Sequence, residues 1–178
     1  MANINEISNF IWGTADLIRH KFSRGDYQEV ILPFTVLRRI DCVLEPTKDE
    51  VLEVYEERKD QLNPTALGEM LKKAADAPFY NYSPYTFERL LDDPGNIKTN
   101  LNEYIHSFSD NMQDVLENFE FENTIDALAK HDLLYKVVKR FCSPKIDLHP
   151  DNLPNSQMGD VFEELIRKFN ESLDENPG

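Results

Sequence analysis

Two adjacent arginines, Arg38 and Arg39, interrupt the apolar stretch ILPFTVLRRIDCVLEPTK (residues 31–48). Paired guanidiniums can hold phosphate or carboxylate oxygens through forked hydrogen bonds. Arg19, Lys21 and Arg24, a short way upstream, are further candidates for the same kind of contact. The plainer use of Arg38 and Arg39 is to solvate the exposed side of a helix, with Asp41 or Glu45 one or two turns on as partners. Both uses remain open on the residues alone.

No other constellation points to catalysis. GxGxxG, Walker A, GxSxG, HExxH and CxxC are all missing. The four histidines, His20, His106, His131 and His149, lack the local spacing of metal ligands, so no metal site is assigned. Paired carboxylates such as Glu56-Glu57, Asp92-Asp93 and Glu163-Glu164 are explained by solvated helix faces in so acidic a chain. No catalytic, cofactor-binding or metal-binding residue is expected within these residues.

The charge restricts the partners. Thirty-three acidic against nineteen basic residues leave −14 on 178 residues, and a surface so negative repels phosphate at long range. Residues 1–45 hold five Lys/Arg and six Asp/Glu, so −13 lies beyond them. A surface that meets DNA is therefore expected from the first part, and only within a larger assembly. MANINEISNF lacks the basic and apolar regions of a signal peptide, and no apolar run approaches a membrane span. These features suggest a cytoplasmic chain, with Cys42 and Cys142 as reduced thiols and no membrane partner.

The elements that must position the cations follow from apolar spacing. Asn3 and Glu6 form a capping pair ahead of Ile4, Ile7, Ile11, Ala15 and Ile18, which predicts one helix from Asn3 to His20. Asp26 and Glu29 are a second such pair. Behind them Pro33, Val36, Leu37, Ile40, Val43 and Leu44 share one broad arc, with Arg38 opposite it and Arg39 at its edge. Pro33 should kink this helix or mark its start, and Pro46 should end it. Further helices are expected over KDEVLEVYEERKD, from Pro64 to about Ala75, from Ile97 through Phe119 with a break near Ser109, around Ile125–Ala129, over Leu133–Phe141, and from about Ser156. The aromatic stretch APFYNYSPYTF (residues 77–87) reads as a loop or short hairpin, packed under itself rather than stacked on nucleic acid. The fold class is mainly α, a compact multi-helix domain over residues 1–178.

Three stretches then become specific. FIWGTADLIRHKFSRGDYQEVILPFTVLRRIDCVLEPTK (residues 10–48) resembles the opening of the methyltransferase (modification) subunit of type I restriction-modification systems: Trp12, Ala15, Asp16, Arg19, Tyr27, Val30 to Pro33, Arg38 and Arg39 stand where that family's motif has them. MGDVFEELIRKFNE (residues 158–171) resembles the helix leading into the family's catalytic domain. FYNYSPYTFERLL is compatible and less diagnostic.

The resemblance implies a subunit that methylates adenine N6 with S-adenosylmethionine and works with a DNA-specificity subunit, a second methyltransferase subunit and a restriction subunit. The family's Ala-Gly-Glu-x-x-Thr-Pro stretch and its Asn-Pro-Pro-Phe/Tyr motif, which belong to that catalytic domain, do not occur in these 178 residues. The chain is accordingly expected to be a non-catalytic N-terminal domain that helps close the assembly on DNA and sense its methylation. Phe162, Leu165, Ile166 and Phe169 then form a candidate interface to the catalytic domain, exposed as an apolar patch in this chain. Two rival readings remain: an acidic helical DNA mimic, motivated by the net charge, and a generic protein-interaction module.

Overall fold

A computed structural model describes residues 3–175. The elements in order are α1 (Ile4–Trp12), α2 (Ala15–Ile18), α3 (Tyr27–Leu44), α4 (Lys48–Arg58), α5 (Pro64–Ala75), α6 (Phe87–Leu90), α7 (Ile97–His106), α8 (Asp110–Asn118), α9 (Phe121–Lys130), α10 (Leu134–Phe141) and α11 (Asn155–Glu175). Among the described residues there is no sheet, and no helix is long and apolar enough to cross a membrane. The mainly α class holds. In place of a hairpin within residues 77–87, that segment pairs with the α7–α8 turn through a single antiparallel bridge between Asn81 and Phe108.

Helix α3 is the axis around which the rest packs. Helices α1, α2, α9, α10 and α11 all touch it, and its buried residues run almost right round its circumference. Phe34 sits at the centre, with ring centroids of Phe121, Phe141 and Phe87 at 5.0, 5.8 and 6.5 Å. Each such fully buried side chain contributes roughly 1.5–3 kcal/mol by leaving water. Pro33 neither starts nor ends this helix. It lies six residues inside, where its missing N–H leaves the Glu29 carbonyl without its usual partner. The Thr124 hydroxyl of α9 donates to that carbonyl at 3.2 Å, which explains why the proline is tolerated. Asp26 gives α3 no side-chain cap; it accepts from the Ser23 hydroxyl at 2.7 Å within a 3₁₀ turn that leads into the helix.

The expected continuous first helix is broken at Gly13. Asn3 does cap α1, accepting from the Glu6 amide at 3.1 Å. At the other end, Arg140 of α10 donates to the Phe10 carbonyl from Nε and Nη2 (3.2 and 2.6 Å) and lies 4.3 Å over the Phe10 ring. A Cβ on residue 13 would come within 2.2 Å of Arg140 Nη2, so a larger residue there would push that guanidinium away from the Phe10 carbonyl. A side chain from a distant helix thus satisfies a carbonyl that the helix end leaves open. The chain then turns and resumes as α2.

Candidate nucleic-acid interface

The five cations marked in the sequence divide into two groups with opposite surroundings. Arg38 is only 3% exposed and does not lie on a solvated face. Its Nη1 donates to Asp41 Oδ2 at 2.8 Å, and its guanidinium lies 5.5 Å over the Phe87 ring. The expected angular position opposite the apolar arc is correct, but α6 and the loop before it cover that side. Asp41 also accepts from the Tyr104 hydroxyl (2.8 Å) and the Phe87 amide (3.3 Å). Burial pushes the Asp41 carboxyl up, against the opposing pull of Arg38 and of both hydrogen bonds.

A second buried cation stands alongside. Lys48 Nζ donates to Asn81 Oδ1 at 3.0 Å and lies 5.7 Å over the Tyr104 ring, and burial lowers it to about 8. Asn81 in turn donates to the Tyr104 carbonyl at 2.7 Å and accepts from the amide and hydroxyl of Ser83. This interior network ties α3, α4, α6 and α7 together. It holds polar groups that would otherwise be buried unpaired. Burial also pushes the thiols of Cys42 and Cys142, both free, up to about 12, so they are inert.

Arg39 is likewise turned inward. Nη1 donates to the carbonyls of Leu148 (2.9 Å) and Leu153 (2.5 Å), and Nη2 to Asn155 Oδ1 (2.9 Å). It fastens the connector 143–154 and the start of α11 to α3. Neither arginine can reach a phosphate without abandoning these partners, which corrects the expected role of both as surface contacts.

Arg19, Lys21 and Arg24 are exposed where α2 turns toward α3. Arg19 lies 3.7 Å from Asp16, and Arg24 Nη1 donates to the Ser172 carbonyl of α11 at 3.4 Å. Between them runs a shallow groove of mixed charge, walled by Trp12, Tyr27, Arg19, Arg24 and Lys168 together with Asp16 and Glu171. Trp12 is half-buried, edge-on to Tyr27 and Phe169 at 6.3 and 6.5 Å, and so serves as groove wall rather than stacking platform.

Sequence reasoning missed a second cationic surface. The Phe22 ring meets the His131 ring edge-on at 6.0 Å, which sets the segment holding Arg19, Lys21 and Arg24 beside the α9–α10 junction. There Lys130, Lys136 and Lys139 are exposed. The available signal was a run of cations within residues 130–145 that a charge count over the whole of residues 46–178 conceals.

The apolar face of α11 needs a correction as well. Leu165 and Phe169 are buried against the rest of this chain, chiefly through α1, and only Ile166 is openly exposed, at 42%, beside a half-buried Phe162. No broad apolar patch results. Elsewhere, His149 bridges Glu45 (2.9 Å) and Asp147 (2.7 Å), and these hydrogen bonds raise its pKa against the opposing effect of burial. Among the described residues no group of three His, Cys, Asp or Glu could hold a metal ion.

A family comparison decides the relationship. Residues 7–141 match the model of the HsdM N-terminal domain. The chain belongs to that family. It is an N-terminal domain of the methyltransferase subunit of type I restriction-modification systems, and its place is within a complex of several subunits. No curated protein and no solved structure matches it. The HsdM match begins in α1 and ends with the last residue of α10, taking in both arginines of α3 and the whole interior network.

Proposed function

We propose that this HsdM N-terminal domain is the non-catalytic part of a site-specific adenine-N6 DNA methyltransferase subunit, and that it helps close the assembled enzyme on duplex DNA and sense whether the target is already methylated. The single observation that carries this reading is the family match over residues 7–141 on an all-helical fold. The partners would be a DNA-specificity subunit, a second methyltransferase subunit and a restriction subunit, in the cytoplasm. S-adenosylmethionine would bind in the subunit's catalytic domain. Adenine has to be flipped from the stack before its N6 can be methylated, so a domain that grips the flanking duplex assists the reaction without touching the reacting atoms.

The test is to assemble the full-length subunit with its specificity subunit, with and without residues 1–178. Loss of duplex binding and of the preference for hemimethylated over unmethylated sites, with S-adenosylmethionine binding retained, is the expected result. Unchanged DNA binding and discrimination would overturn the proposal. The isolated chain should transfer no labelled methyl group to DNA. If instead it displaced DNA from the assembled enzyme, the acidic-mimic reading would take over.

A further inference from the structure

Charge in this protein is segregated along the chain. Residues 19–24 and 130–145 together carry eight Lys/Arg against one acidic residue, net +7, while the other 156 residues carry net −21. The Phe22–His131 contact sets the two segments side by side, with Lys21 and Lys130 flanking the contacting rings. Arg140, reaching under Gly13 to the Phe10 carbonyl, holds α10 against the corner between α1 and α2.

Helix α10 buries Leu134, Val137, Val138 and Phe141, which leaves Lys136 and Lys139 on its outward arc. Lys21, Lys130, Lys136 and Lys139 make no ion pair among the described residues. Lys59, Lys72, Arg89 and Lys98, by contrast, each stand within 3.7 Å of a carboxylate. A helix dipole favours cations in the last turns of α9 and α10 and accounts for Lys130 and Lys139, but not for Lys21 or Lys136.

We infer that the face formed by Lys21, Lys130, Lys136 and Lys139 is the surface of this domain that contacts the phosphate backbone of double-stranded DNA. The chemistry of the face selects that partner. Protein interfaces are depleted of lysine and centred on aromatic or apolar anchors. This face has four lysines and no openly exposed large apolar side chain, since Met70 and Ile166, the two in the described residues, lie on other helices. Sequence-independent phosphate contact needs only exposed, unpaired cations. The strongly acidic remainder keeps the duplex on this one side. The inference rests on the methyltransferase reading above and gives it a surface.

The test uses the full-length subunit in its assembled complex and measures duplex affinity across a salt series. The variant Lys21→Ala/Lys130→Ala/Lys136→Ala/Lys139→Ala is compared with Lys59→Ala/Lys72→Ala/Lys73→Ala/Lys98→Ala, which changes net charge equally elsewhere. The first should flatten the slope of log affinity against log salt by about 0.9 for each contacting lysine, about 3.6 in all, with complex mass unchanged. The second should leave the slope as in wild type. Equal effects of the two variants, an unchanged slope in the first, or loss of a subunit from the complex would overturn the inference. A wild-type complex with no affinity for duplex DNA would sink the methyltransferase reading itself. Wild-type binding with an indifferent first variant would sink only this surface.

Discussion

Helices α3 and α10 carry similar basic signatures, Arg38-Arg39 in one and Lys136 with Lys139-Arg140 in the other, in opposite surroundings. On α3 both guanidiniums point into the molecule, to a carboxylate in one case and to backbone carbonyls in the other. On α10 Arg140 reaches a neighbouring carbonyl while the two lysines stay in water. The difference lies in how many elements surround each helix. α3 is enclosed over most of its circumference, so a cation on a covered side must find an internal partner or be lost to desolvation. α10 leaves one arc uncovered, and lysine, with its compact and strongly hydrated charge, suits that arc as arginine suits the interior.

The largest effect that could break this contrast is at the interior carboxylate. Asp41→Ala leaves the Arg38 guanidinium buried without a counter-charge and strands the Tyr104 hydroxyl, and should cost about 3–5 kcal/mol in denaturant unfolding. A loss under about 1 kcal/mol would mean that water already reaches the network. Arg39→Ala removes donors from two buried carbonyls and should cost about 3 kcal/mol. It should also make the connector 143–154 the first site cut in limited proteolysis, an outcome that a purely solvating arginine would not produce.

Lys48 allows a test by pH. Its folded pKa of about 8 lies below the ordinary 10.5, so between these values the unfolded chain holds a proton that the folded chain has released. Stability contributed through this group therefore rises with pH across that window, by at most about 3 kcal/mol, and is flat below it where both forms are protonated. The difference between wild type and Lys48→Met, followed by denaturant unfolding from pH 7 to 10.5, should show the rise; parallel profiles would place the ammonium in contact with solvent. The smallest effect is expected outside. Lys136→Ala/Lys139→Ala should move unfolding stability by no more than about 0.5 kcal/mol, and a larger loss would mean that these lysines belong to the packed structure after all.

Much of the architecture was legible because it follows from local spacing. The apolar spacing behind α7, α10 and α11, the Asn3 cap of α1 and Pro64 at the start of α5 are all short-range signals. What was not legible depends on partners far along the chain. Arg140 takes up the Phe10 carbonyl left open where α1 stops at Gly13, and Thr124 the Glu29 carbonyl left open by Pro33 within α3. Several turns also lack their usual glycine. Asp76, Glu120 and Asp132 adopt left-handed φ values of 53°, 53° and 56°, where a pattern search for Gly finds nothing.

The candidate site shows the same division. Arg19, Lys21 and Arg24 stand exposed as their polar context suggests. Arg38 and Arg39 do not, because an apolar arc describes one side of a helix and says nothing about what covers the other. The lysines of α10 were hidden for a different reason: an acidic total masks a local basic run.

Arg39 has one more consequence. The family match stops at Phe141, yet Arg39, inside the matched part, holds the segment that follows, and α11 packs along α1, where Ile7 and Ile11 are buried. The part of the chain that packs as one body therefore extends beyond the matched stretch. A protein cut after Phe141 would lose the lid over its own first helix, so the stretch to about residue 173 belongs with the domain in any attempt to graft, swap or express it alone.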